Sequence, residues 1–138
     1  DAPAIERMLV MVQKEVGERL AAEPATAAYG IPSVKVALRA RARVVGTVGP
    51  DVFLPRPRVD SALVEIVRLP APATDADPDL LVDLVETAFG QRRKMLRRSL
   101  AGRVADDAFA RAGVDPTDRP ERLGIEAWGR LAGAVAAS

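Results

Sequence analysis

The chain has 138 residues, 49% hydrophobic and 28% charged, a globular composition with room for one domain or two small ones. Cysteine and histidine are absent, which excludes disulfides, thiolate chemistry, Cys/His zinc sites and any mechanism that needs an imidazole base. The net charge is +1 and no apolar run approaches the roughly 18 residues of a membrane span, so a cytoplasmic protein with neither membrane nor metal is expected.

Met8 to Val12 is an unbroken apolar run, Met-Leu-Val-Met-Val. Without alternation it reads as a strand buried on both faces, as in a parallel sheet flanked by helices. A helix over Gln13 to Ala22 follows, with Val16 and Leu20 at helical spacing, and stops before Glu23-Pro24. Ala25 to Pro32 reads as a loop around Tyr29-Gly30, and Ser33 is placed to cap a short helix carrying Val34, Ala37 and Leu38. Val44 to Val48 is β-rich, and Pro55 and Pro57 make the next stretch irregular. Val59 to Leu69 is the clearest strand, with Ala62, Val64 and Ile66 on one face and Leu63 and Val67 on the other.

Residues 70–78 read as a linker by composition, and everything after them as helical. The expected helices are Asp79 to Phe89, a basic helix from Gln91 to Leu100, Asp106 to Ala112 ended by Gly113, and Ile125 to Ala136 with Trp128, Leu131 and Val135. Only seven residues precede the first strand, too few to supply neighbouring strands and covering helices. The expectation is a chain that begins inside an α/β domain; a small self-contained α+β protein is the alternative.

The near-neutral charge conceals an asymmetry. Acidic residues gather at Asp75, Asp77, Asp79, Asp83 and Glu86, and basic ones at Arg92, Arg93, Lys94, Arg97, Arg98 and Arg103. An earlier basic stretch holds Lys35, Arg39, Arg41, Arg43, Arg56 and Arg58, with Asp51 opposing it. Either this is a cationic surface for a polyanion or a solvated helix face, and charge alone leaves both open.

Candidate chemistry is sparse. No G-x-G-x-x-G or Walker pattern is present, and Asp51 with Asp60 is not a specific carboxylate pair. The segment Phe53-Leu-Pro-Arg-Pro-Arg-Val-Asp-Ser-Ala62 is more distinctive, because alternate prolines stiffen its backbone. Phe53 could there stack on an unpaired base while Arg56 and Arg58 reach phosphates, or it could plug a core with the arginines solvated.

These motifs come in one order: Met11-Val-Gln-Lys-Glu-Val16 with Arg19-Leu20-Ala21, Tyr29-Gly30, Ser33-Val34, Phe53-x-Pro-x-Pro-x-Val-Asp-Ser-Ala62, Ala88-Phe-x-Gln-Arg-Arg-Lys94, Leu96-Arg97, Ser99-Leu100 and Arg119-Pro-Glu-Arg-Leu123. From about Met8 to its end the chain resembles the C-terminal half of the KsgA-type small-subunit ribosomal RNA adenine dimethyltransferases. The resemblance implies an α/β fold: the C-terminal part of a class I Rossmann-like methyltransferase sheet (residues 1–70, incomplete), a linker (71–78), and a small all-α domain that binds rRNA (79–138).

It also implies S-adenosylmethionine as methyl donor and two adjacent adenines of small-subunit rRNA, in the pre-30S subunit, as acceptors. Phe53 matches the aromatic that stacks on the target adenine, and Pro55 and Pro57 shape its loop. Arg92, Arg93, Lys94 and Arg97 match the basic helix that faces RNA, and Arg98, Arg56 and Arg58 join them as RNA-binding candidates. The family's glycine-rich cofactor loop and its Asn-Leu-Pro-Tyr-type segment have no counterpart here. A monomer that binds no cofactor and is inactive alone is therefore expected. Three departures from the family pattern, Gly17 within a helix, Ala25 for glycine and Pro32 for an apolar residue, are expected to loosen their surroundings. Two other readings stand beside this one: a non-catalytic rRNA-binding or ribosome-assembly module, and a large-subunit rRNA adenine methylase.

Overall fold

Three strands, β1 (Arg7–Gln13), β2 (Ala40–Val48) and β3 (Ser61–Arg68), make one sheet in the order β1-β3-β2, and both pairings are antiparallel. The computed structural model describes residues 6–49 and 60–138. Phe53, Pro55, Arg56, Pro57 and Arg58 lie outside the described residues.

β3 carries the alternation read from its sequence. Ala62 and Val64 are wholly buried on one face, and Leu63 and Val67 are half-buried on the other. Val64 pairs with Val10 on one side and Val44 on the other. The register then shifts between Val44 and Gly46, which leaves Val45 as the extra residue of a bulge.

The expectation for β1 needs correcting. It is not buried on both faces: Leu9 is 62% exposed and Met11 50%, and its one partner among the described residues is the antiparallel β3. The apolar run anticipates cover that these residues do not supply.

Helix α1 (Lys14–Ala21) begins where the Lys14 amide donates to the Asp60 carbonyl at 2.9 Å, and it folds back over β3. Its contact face is centred on Gly17, which is buried, whereas Val16 is exposed. A methyl group on Gly17 would lie 2.9 Å from the Ala62 Cβ and 3.1 Å from a Val64 methyl. Gly17 therefore marks a close approach of helix to sheet and is not a loose point.

Helix α2 (Ile31–Ala37) starts earlier than expected, with Pro32 in its first turn, where a missing N–H costs nothing. Ser33 is the third helical residue; its hydroxyl accepts from the Gly30 amide at 3.1 Å and donates to the Arg19 carbonyl. Ala25 has φ of 67°, the left-handed region in which an L side chain is strained.

The helical part comprises α3 (Pro78–Phe89), α4 (Leu96–Ser99), α5 (Asp106–Ala112), a 3-10 turn at Pro120–Arg122 and α6 (Ile125–Ala136). The Asp77 side chain caps α3 by accepting from the Asp79 amide at 3.0 Å, and Gly113 ends α5 with φ of 67°. Leu81, Leu84, Val85, Phe109, Trp128 and Leu131 fill the interior. Tyr29, Val34 and Leu38 belong to the same buried cluster, which thus runs across the expected boundary at 71–78. That segment is docked: the Ala73 amide donates to the Leu38 carbonyl at 2.9 Å, and Thr74 lies where a side chain on Gly129 would be.

Candidate functional site

The segment expected as one basic helix is a turn followed by a short helix. After Gly90 the chain turns, with the Lys94 amide donating to the Gln91 carbonyl at 2.9 Å, and Met95 is extended with ψ of 150°. α4 then starts afresh, because the Leu96 and Arg97 amides donate to the Asp118 and Pro116 carbonyls at 2.8 and 2.9 Å. Those outside acceptors satisfy the orphan donors of the first turn and fix its direction. The accepting loop is itself held by Asp115, whose carboxylate takes bonds from the Thr117 amide (2.8 Å) and hydroxyl (2.7 Å). These bonds hold the Asp115 carboxyl below its ordinary pKa.

Leu96, Ser99 and Leu100 anchor α4 in the interior, which leaves Arg93, Lys94, Arg97 and Arg98 exposed. Among the described residues none of these four makes an ion pair, whereas most of the other expected basic residues are engaged. Arg43 and Arg7 flank Glu65 at 2.8 and 3.4 Å, and Lys35 pairs with Glu86 at 3.4 Å. Arg103 bonds Asp83 and the Thr87 hydroxyl.

Arg92 is exposed as well, but it makes contacts that its neighbours do not. Its guanidinium donates to the Tyr29 carbonyl at 3.0 Å, sits 3.6 Å from the Glu121 carboxylate, and lies 5.5 Å from the centre of the Phe89 ring. Sequence reasoning places Arg92 with the RNA-facing residues and gives Glu121 no role. A signal exists, since both Tyr29-Gly30 and Arg119-Pro-Glu-Arg-Leu123 stand among the ordered motifs. Arg119 and Arg122 escape sequence reasoning as well. Both are exposed and line a cleft of about 410 Å³ with Met95, Thr117, Asp118 and Glu121, so they extend the cationic surface.

Among the described residues the sheet contains only antiparallel pairs. It therefore does not form the crevice at the carboxyl ends of parallel strands in which open α/β sheets bind nucleotide-type cofactors. The exposed arginines and lysine among these residues present positive charge, which suits a polyanion. Among the described residues no helix is long and apolar enough to cross a membrane, and no group of three or more metal-ligating side chains gathers.

The family model described as ribosomal RNA adenine dimethylase matches residues 1–136. A ribosomal RNA small subunit methyltransferase A of Kineococcus radiotolerans is 49% identical over 94% of the chain and 45% of that protein. Its namesake in Acidothermus cellulolyticus is 47% identical over 93% of the chain and 46% of that protein. The chain thus spans about half the length of the curated relatives it matches. In fold it is similar to a dimethyladenosine transferase from Plasmodium falciparum, with a TM-score of 0.78 at 18% identity over 95% of the chain and 57% of the other. It is also similar to the 23S rRNA methyltransferase ErmE, with a TM-score of 0.66 at 23% identity over 99% and 57%.

Proposed function

Because the chain belongs to the ribosomal RNA adenine dimethylase family, we propose that it is the acceptor-side, RNA-facing portion of an S-adenosylmethionine-dependent enzyme that dimethylates N6 of two adjacent adenines in small-subunit rRNA. The observation that carries this reading is the cluster Arg93, Lys94, Arg97 and Arg98, exposed on a turn and a short helix held in place by buried leucines and by the 116–118 carbonyls. Side chains of one sign on a fixed support gain by counterion release when they neutralise phosphates, and such contacts orient a protein without reading sequence. In this reading Phe53 is the residue that stacks on an extruded adenine, with Pro55 and Pro57 beside it in sequence, and Arg56 and Arg58 reach the adjacent phosphates.

The exposed apolar strand β1 supports a further neighbour in a larger sheet, since isolated edge strands are ordinarily blunted by charge. The donor pocket belongs to that remaining part, and the 138-residue chain alone neither binds S-adenosylmethionine nor transfers methyl groups. The protein works as a monomer in the cytoplasm on the pre-30S particle.

The test is mass spectrometry of rRNA from cells deleted for the gene. Loss of N6,N6-dimethyladenosine at two adjacent positions of the small-subunit RNA is expected. Unchanged dimethylation, or a loss confined to large-subunit RNA, overturns the proposal. In calorimetry the 138-residue chain is expected to show no heat with micromolar S-adenosylmethionine, and measurable binding would contradict the division of labour.

A further inference from the structure

We infer that Arg92 is a positioning residue, which locks the basic turn and α4 onto the Tyr29 loop so that Arg93, Lys94, Arg97 and Arg98 meet RNA phosphates in one fixed register. This rests on the RNA-facing reading above and deepens it by separating one arginine from the surface it adjoins.

The guanidinium is used from more than one side. One terminal nitrogen donates to the Tyr29 carbonyl, in the loop between α1 and α2. Nε faces Glu121 of the 3-10 turn, and the group as a whole lies over the face of Phe89 at the end of α3. A planar fork can serve all three at once, and a lysine ammonium cannot.

The partners are themselves tied together. The Ala25 amide donates to the Glu121 carbonyl at 2.7 Å, and the Tyr29 hydroxyl to the Leu123 carbonyl at 2.6 Å. The loop and the segment 121–123 are thus joined at two points, one backbone to backbone and one through the Tyr29 hydroxyl, and Arg92 closes the ring from the basic turn. One Glu121 carboxylate oxygen is buried with no hydrogen bond, and the Arg92 guanidinium is the cation beside it at 3.6 Å. Phosphate contacts spaced along a rigid support require that support to be oriented, and this ring is what orients it.

Sign separates positioning from bulk charge. The experiment measures binding of the 138-residue chain to a fluorescently labelled RNA from the 3′ end of the small-subunit rRNA across a salt series. The variants are Arg92→Lys, Arg92→Gln, Glu121→Gln and Arg93→Gln, each checked by circular dichroism to be folded at the assay temperature. Arg93→Gln is expected to weaken binding and lower the salt slope by about 1. Arg92→Lys, although it keeps its charge, is expected to lose roughly tenfold in affinity, as much as Arg92→Gln. Glu121→Gln removes a negative charge, which electrostatics alone would reward with tighter binding; weaker binding is expected. Wild-type affinity for Arg92→Lys, or unchanged or tighter binding for Glu121→Gln, overturns the inference. Should a variant not fold, the wild-type chain decides by NMR. The Arg92 Nε–H is expected to keep its shift when RNA is added, while those of Arg93 and Arg97 move. An Arg92 signal that moves with theirs refutes the inference, and it does so without touching the RNA-binding reading itself.

Discussion

The Tyr29 hydroxyl donates to the Leu123 carbonyl at 2.6 Å, joining residues 94 positions apart in the sequence. Tyr29 is 2% exposed, and its ring stands 6.2 Å from that of Phe89, which in turn is 6.3 Å from Trp128. A loop residue of the sheet portion thus sits inside the helical interior. Replacing Tyr29 by Phe keeps the ring and strands the Leu123 carbonyl, so it is expected to destabilise the chain by about 1–3 kcal/mol. Urea denaturation would read this as a lower midpoint with an unchanged slope.

The same hydroxyl sets an alkaline limit. Burial is the main cause that pushes Tyr29 up to about 12 from its usual 10, with the Glu126 charge adding to it and the Trp128 indole opposing it. The native state holds the proton more tightly than the unfolded chain. Its contribution to stability is therefore complete below pH 10 and lost as pH rises from 10 through 12. Tyr29 is the sole tyrosine of the chain, so tyrosinate absorbance reports it alone. The urea midpoint of the wild type should fall across that window, and the part of the fall due to Tyr29 should vanish in Tyr29→Phe.

At Gly17 helix and sheet approach so closely that a methyl group would meet Ala62 at 2.9 Å and Val64 at 3.1 Å. On propensity alone Gly17→Ala would stabilise α1 by about 1 kcal/mol. The contact wins, because both neighbours are buried on a central strand that is paired on each side. A net loss of about 1–3 kcal/mol is expected, read as a lower Tm. A raised Tm would show that α1 can lift off β3 at little cost.

These cases show what is legible in the sequence. α6 and α5 can be bounded closely because their apolar periodicity, and the glycine after α5, are local signals. β3 is legible because period-two alternation survives when one face is packed and the other partly open. β1 misleads because an apolar run reports how much cover a strand needs, and its pairing direction depends on β3, some fifty residues away. The basic segment misleads for a related reason. Its residues favour helix, but the acceptors for the Leu96 and Arg97 amides lie on a loop some twenty residues downstream, which restarts the helix at α4. The contacts of Arg92 likewise depend on Tyr29 and Glu121, which stand in motifs distant in sequence and which no pattern around Arg92 itself announces.

Ala25 occupies φ of 67°, where its Cβ crowds the following carbonyl, and its amide is fixed by the Glu121 carbonyl at 2.7 Å. The backbone bond holds the strained geometry in place. Ala25→Gly relieves the strain and gives back part of it as extra freedom in the unfolded chain, for a net gain of about 1 kcal/mol. Calorimetric melting should show a raised Tm, and RNA affinity should not change, because the loop keeps its path.

Replacing Arg93, Lys94, Arg97 and Arg98 together by Gln tests whether the exposed cations act as one surface. All four are exposed and make no ion pair among the described residues, so stability should shift by no more than about 0.5 kcal/mol per site. Their effect should fall on RNA instead. Each phosphate left without its cation flattens the plot of log affinity against log salt by about 0.7 on single strands and 0.9 on a duplex. The upper bound for the quadruple variant is therefore a change of about 2.8 on single strands and about 3.6 on a duplex. Arg111→Gln is the control, since Arg111 is bound to Asp107 on α5 and to the Ala134 carbonyl. It removes one positive charge away from the turn, and the slope is expected to stay as in the wild type. If Arg111→Gln flattened the plot as much per charge as the quadruple variant, RNA would be responding to net charge and not to the placement of these four side chains.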